Sequence, residues 1–129
     1  MNRAIFSACL LVALLAVVVI AQDAITVKRA VVCTSVVDRE PSGADSSFAD
    51  SLSSLYCFTE LDGAIGQVIH AWYHGDNLKF ELTLNKGREG RWRTWSQKTM
   101  YKEWTGAWRV DVKDVNGNVL KSVSVEYGK

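Results

Sequence analysis

Proline is almost missing from this chain: Pro41 is the only one in 129 residues, and nine glycines are scattered without a period. That excludes a collagen-like repeat, and a composition with 48% hydrophobic residues is not that of a disordered chain. Charge of one sign is missing as well. A formal net charge of +1 excludes a bulk polycation or polyanion mechanism, although not a local patch. There is no Gly-x-Ser-x-Gly turn, no phosphate-cradling glycine loop and no zinc-protease helix. The length suits one domain and leaves little for a second.

The one long hydrophobic run stands at the start. Arg3 is the only charged side chain before Asp23, and Ala4 to Ile20 is uncharged and almost wholly apolar. With Val19-Ile20-Ala21 placing a small residue at the exit, residues 1–21 read as an export signal cut after Ala21. The rival is an uncleaved anchor, because about 17 apolar residues is the lower edge of a bilayer span. Residues 22–129 then form a single extracytoplasmic domain, periplasmic or secreted, with a membrane contact only if the first segment stays attached. Cys9 leaves with the signal. Cys33 and Cys57 remain, and an even pair in an exported chain points to a disulfide. That bridge would close a loop of about 24 residues and contribute about 3 kcal/mol; the alternative is two buried free thiols.

After the signal, two-residue alternation dominates. Leu78, Phe80, Leu82 and Leu84 share one face of a strand. Trp108, Val110 and Val112 alternate with Arg109, Asp111 and Lys113, and Val123, Val125 and Tyr127 with Ser122, Ser124 and Glu126. Runs rich in β-branched and aromatic residues at 25–37, 55–60 and 67–73 add further strands. Asn116-Gly117 suits a tight hairpin with positive φ at both central positions. Residues 41–54, rich in Ser, Asp and Ala, read as a long loop or a short helical excursion. About seven strands in a hundred residues predict an all-β, immunoglobulin-like antiparallel sandwich. No tryptophan lies between Cys33 and Cys57, so the disulfide arrangement of antibody domains is absent.

Several ordered motifs carry a resemblance. They are Asp38-Arg39-Glu40-Pro41, Leu55-Tyr56-Cys57-Phe58-Thr59, His70-Ala71-Trp72-Tyr73, Trp92-Arg93-Thr94-Trp95-Ser96, Glu103 to Val110 and Asp114 to Leu120. With them, from about Arg29 to Tyr127, the chain resembles the bacterial family called domain of unknown function 2914. The resemblance implies an extracytoplasmic β module and carries over no catalytic residue.

Site chemistry is sparse. His70 and His74 have the four-residue spacing of a helical metal pair, but on a strand they stand about 13 Å apart, too far to share one ion. Neither a metal nor a cofactor is expected. Asp38 and Glu40 could imitate the carboxylate pair of a glycosidase, yet Arg39 and Pro41 beside them suggest a solvated loop with local ion pairs. The protein reads as no enzyme.

Charge and tryptophan are unevenly distributed. From Lys86 to Arg109, seven basic residues meet two acidic ones, and four of the five tryptophans fall in the same stretch. Residues 22–85 hold nine acidic residues against four basic ones. Strand parity puts Trp92 and Trp95 on opposite faces unless a bulge intervenes, leaving Trp95 beside Arg91 and Arg93 as the outward ring. Trp104 precedes a turn. Arg91, Arg93, Trp95 and Trp104 are therefore the candidate ligand-binding residues, with stacking and charge-assisted contacts as their chemistry. The expected role is a non-catalytic interaction module of the cell envelope with a protein or polysaccharide partner. The alternative is an anionic-glycan or cell-wall-polymer binder, and nucleic acid is not expected in an exported protein.

Overall fold

A computed structural model describes residues 24–128; the expected signal at 1–21 lies outside the described residues. Among these residues ten strands form: β1 (Thr26–Cys33), β2 (Ser35–Val37), β3 (Glu40–Ser42), β4 (Ser47–Phe48), β5 (Ser54–Asp62), β6 (Gly66–His74), β7 (Asn77–Lys86), β8 (Trp92–Thr99), β9 (Gly106–Lys113) and β10 (Val119–Tyr127). One sheet has the order β1-β5-β8, a second β4-β10-β9-β6-β7, and β2-β3 is a separate hairpin. Set aside the three short strands and seven remain, divided between two antiparallel sheets. The first, second and fifth of them form one sheet; the other holds the seventh, sixth, third and fourth. This is the crossed-over order of an immunoglobulin-like sandwich.

Alternation explains why these segments become strands and which face each one buries. Trp108, Val110 and Val112 of β9 turn inward, as do Val68 and Trp72 of β6 and Leu55, Cys57 and Leu61 of β5. The major core gathers Val32, Leu55, Trp72, Trp108, Val110 and Tyr127; a smaller cluster holds Leu61, Val68 and Val112, with Trp92 packed against it. Thr59 and His70 lie between the two clusters on β5 and β6. The Tyr127 hydroxyl donates to the carbonyls of Asp50 at 3.2 Å and Leu52 at 2.8 Å, tying the last strand to the segment before β5.

Three details change here. Among the described residues three short strands join the seven long ones, because Ser35–Val37 separates from β1 at Thr34 and the supposed loop at 41–54 contributes β3 and β4. One pairing, β10 with β4, is parallel. The Asn116-Gly117 turn is not a two-residue hairpin: only Gly117 has positive φ, at 88°. Instead one Asp114 carboxylate oxygen accepts from the backbone N–H groups of Asn116 and Asn118, each at 2.9 Å, which organises a five-residue loop between β9 and β10. The two-positive-φ turn occurs at Asp38-Arg39, where φ is 51° and 62°, between the paired residues Val37 and Glu40.

The expected Cys33–Cys57 bridge is not formed; both cysteines are free and buried. Register supplies the reason. Cys57 pairs with Val32, and Cys33 with Tyr56, so a one-residue offset sends the two thiols to opposite faces of the sheet. Burial pushes both thiols up from their ordinary pKa.

Candidate functional site

The expected site begins on β8. Its pairing with β5 runs without a shift from Ser54↔Thr99 to Leu61↔Trp92, so alternate side chains keep to their faces. Trp92, opposite Leu61, turns toward the smaller core cluster. Arg93 and Trp95, opposite Glu60 and Phe58, turn to the outer face. Trp95 is half-buried there, with its ring stacked on Phe58 at 6.4 Å and 13° between planes. The Arg29 guanidinium caps the other partner, 4.9 Å from the Phe58 ring.

The β2-β3 hairpin supplies the acid that meets these bases. Arg29 Nη2 donates to Glu40 Oε1 at 3.0 Å, and Arg93 Nη1 donates to Glu40 Oε2 at 2.9 Å. The two arginines hold the Glu40 carboxyl below its ordinary pKa, Arg93 most strongly. Glu60, on β5 between them, is shared in the same way: Arg29 lies at 3.1 Å and Arg91 at 3.3 Å. Each carboxylate is therefore shared between two guanidinium groups, and Arg29 Nη2 also reaches Glu40 Oε2 at 3.1 Å.

Beside this network a groove of about 420 Å³ is lined by Arg39, Arg88, Arg91, Trp92, Arg93 and Trp95. Arg39 comes from the hairpin turn and Arg88 from the loop between β7 and β8. That loop is pinned from below: the buried Lys86 Nζ donates to the carbonyls of Gly63 and Arg88, and the Gly90 N–H donates to Gly63. Gly87 permits a close approach, since a Cβ there would stand 3.0 Å from the Trp92 ring. Arg88 lies 6.0 Å over the same ring. Among the described residues, Arg39 and Arg88 have no carboxylate partner. The Trp92 Nε1–H is buried without an acceptor.

Three of the four residues expected at the site, Arg91, Arg93 and Trp95, thus meet in one groove. The fourth does not. Trp104 lies in a 3₁₀ turn past the far end of β8, about 25 Å of strand from Arg91. It packs on the major core, with Tyr101 edge-on at 5.0 Å, Trp108 at 6.3 Å, and Lys79 and Lys98 at 4.7 and 5.0 Å. Burial, with Lys79 nearby, lowers the pKa of Lys98. Arg39, Arg88 and Trp92 were not among the expected residues. Arg88 was legible in the basic stretch as a charge, but only the fold shows that its loop returns to β8.

Other places offer less. A hollow of about 480 Å³ near the β6–β7 turn sets Asp76 and Glu126 against Arg109, so it selects neither sign of charge. The histidines are occupied structurally. His74 stacks on Trp108 at 4.9 Å and meets the Thr105 carbonyl at 2.9 Å. His70 lies in the core, with Nδ1 2.8 Å from the Ser96 hydroxyl and Nε2 3.2 Å from that of Thr59. No metal-holding cluster of His, Cys, Asp or Glu occurs among the described residues. No helix among them is long and apolar enough to cross a membrane.

Residues 66–127, from β6 to the end of β10, match the family described as a protein of unknown function, DUF2914. That match bears out the resemblance carried by the motifs from β6 to β10. The matched span is narrower than the motifs suggested: the DUF2914 region contains Arg88, Arg91, Trp92, Arg93 and Trp95, whereas Arg29, Arg39 and Glu40 precede it. The groove therefore joins residues of the DUF2914 match to a hairpin from the preceding segment. No curated protein matches the chain.

Proposed function

We propose that the protein is a non-catalytic binding module of the bacterial cell envelope, exported by its N-terminal segment, and that it takes an anionic glycan or cell-wall polymer in the groove along β8. One observation carries this reading. Four arginines converge on two tryptophan rings, and two of those arginines, Arg39 and Arg88, have no carboxylate partner among the described residues. Guanidinium groups bind carboxylate, sulfate or phosphate through paired N–H donors, and a flat ring beside them stacks on a sugar. The flatness of the Trp95 ring favours a saccharide over an acidic protein loop.

The test is a titration with neutral and anionic envelope polysaccharides, followed by tryptophan fluorescence at two salt concentrations. A saturable change with the anionic polymers, weakened by salt and by Arg91→Ala or Arg93→Ala, is expected. No change with any polymer would overturn the reading.

A further inference from the structure

Building on the binding role just proposed, we infer that the groove selects carboxylate-bearing ligands and that Glu40 is the internal counter-anion a ligand carboxylate replaces. The arginine spacing supports the choice of group. Glu40 and Glu60 each place two coplanar oxygens between two guanidinium groups, at 2.9 to 3.3 Å. A planar two-oxygen group is therefore what this side of the sheet is already arranged to hold. A tetrahedral sulfate or phosphate presents its oxygens differently.

The position of Glu40 supports the replacement. It follows Arg39 directly, so the hairpin that contributes a free cation to the groove also delivers the acid that occupies Arg93. The hairpin is its own two-stranded sheet, with three paired positions from Ser35↔Ser42 to Val37↔Glu40. Its turn residues Asp38 and Arg39 both sit at positive φ without being glycine. Glu60 differs, because it belongs to the central strand of its sheet and cannot leave without breaking β5.

The experiment compares polygalacturonate, a polyuronate, with dextran sulfate and neutral dextran at low salt, using wild type, Glu40→Gln, Glu40→Asp and Glu103→Gln. Removing the internal competitor raises the fraction of groove ready to bind, so Glu40→Gln should tighten polygalacturonate roughly 5- to 10-fold. Glu40→Asp keeps the charge but is too short to span both arginines, and should tighten it by a smaller factor. Glu103→Gln makes the same charge change in the distant 3₁₀ turn and should alter binding less than twofold. Because Glu40→Asp leaves the net charge intact, it reads the same displacement if Glu40→Gln loosens the hairpin.

Equal gains from Glu40→Gln and Glu103→Gln would reduce Glu40 to a general field effect and overturn the inference. An equal gain for dextran sulfate would overturn carboxylate selection. In either case salt-sensitive binding lost on Arg93→Ala would leave the binding role standing. Failure of every polymer to bind wild type and variants alike would overturn that role as well.

Discussion

Ser96 shows how one side chain can hold two others in place. Trp72 Nε1–H donates to the Ser96 oxygen at 3.1 Å, and Ser96 is 2.8 Å from His70 Nδ1. On the other side of the ring, the Thr59 hydroxyl donates to the Thr94 carbonyl at 3.0 Å, which leaves its oxygen free to accept from His70 Nε2. The donors line up in one direction only if His70 is neutral with its proton on Nε2. A Ser96→Ala substitution would leave Trp72 and His70 each short of a partner inside the core. It should cost roughly 2–4 kcal/mol, read from urea unfolding. The thiols give a second expectation at this scale. Under native conditions neither Cys33 nor Cys57 should react with a thiol reagent, and both should react once the chain is unfolded. Fewer than two reactive thiols after unfolding without reductant would show that the bridge exists.

At the level of elements, the β2-β3 hairpin sets stability against binding. Arg39 occupies a left-handed conformation at φ 62°, which glycine adopts without strain. Arg39→Gly should therefore raise the unfolding free energy by about 1 kcal/mol while weakening polyanion binding, because the groove loses a cation that has no carboxylate partner. A differential scan and the fluorescence titration measure the two effects on one sample. Gain of binding, or unchanged binding, would remove Arg39 from the site. This hairpin also marks where sequence reading stops. The long strands were legible because alternation such as Trp108, Val110 and Val112 leaves one sensible face to bury. β2, β3 and β4 are two or three residues long and too short to show a period. Asp-Arg carries no turn signature, whereas Asn116-Gly117 carried a strong one that the Asp114 carboxylate overrode. For the site, parity separated Trp92 from Trp95 and so brought out Arg91, Arg93 and Trp95. Trp104 falls outside the groove, because a charge-and-aromatic count has no distance in it. Arg39 reaches the groove through a tertiary return that no local pattern records.

For the molecule as a whole, the buried histidine and the paired surface carboxylates should make stability depend on pH in two separable steps. Burial lowers the His70 pKa from 6.5 to about 4. Between those values the unfolded chain binds a proton that the folded chain refuses, so stability falls as pH drops from about 6.5 and levels off near 4. Taken over the full window the loss is roughly 3 kcal/mol. The carboxylates act lower down. Arg93 and Arg29 hold Glu40 below its usual 4.5, and hydrogen bonds from the Asn118 backbone and side chain hold Asp114 below 3.8. Their stabilisation is complete above those values and is lost as pH falls through the lowered ones. Urea unfolding at pH 7, 5.5 and 4.5 should therefore trace the histidine step almost alone, and further points toward pH 3 should add the carboxylate step. His70→Gln, whose amide carries no titrating proton, should lower stability at pH 7 and flatten the upper step while leaving the lower one. A slope between pH 6.5 and 4.5 that survives in His70→Gln would place the titrating group elsewhere. The Trp72–Ser96–His70–Thr59 chain would then be a fixed packing feature rather than the source of the pH dependence.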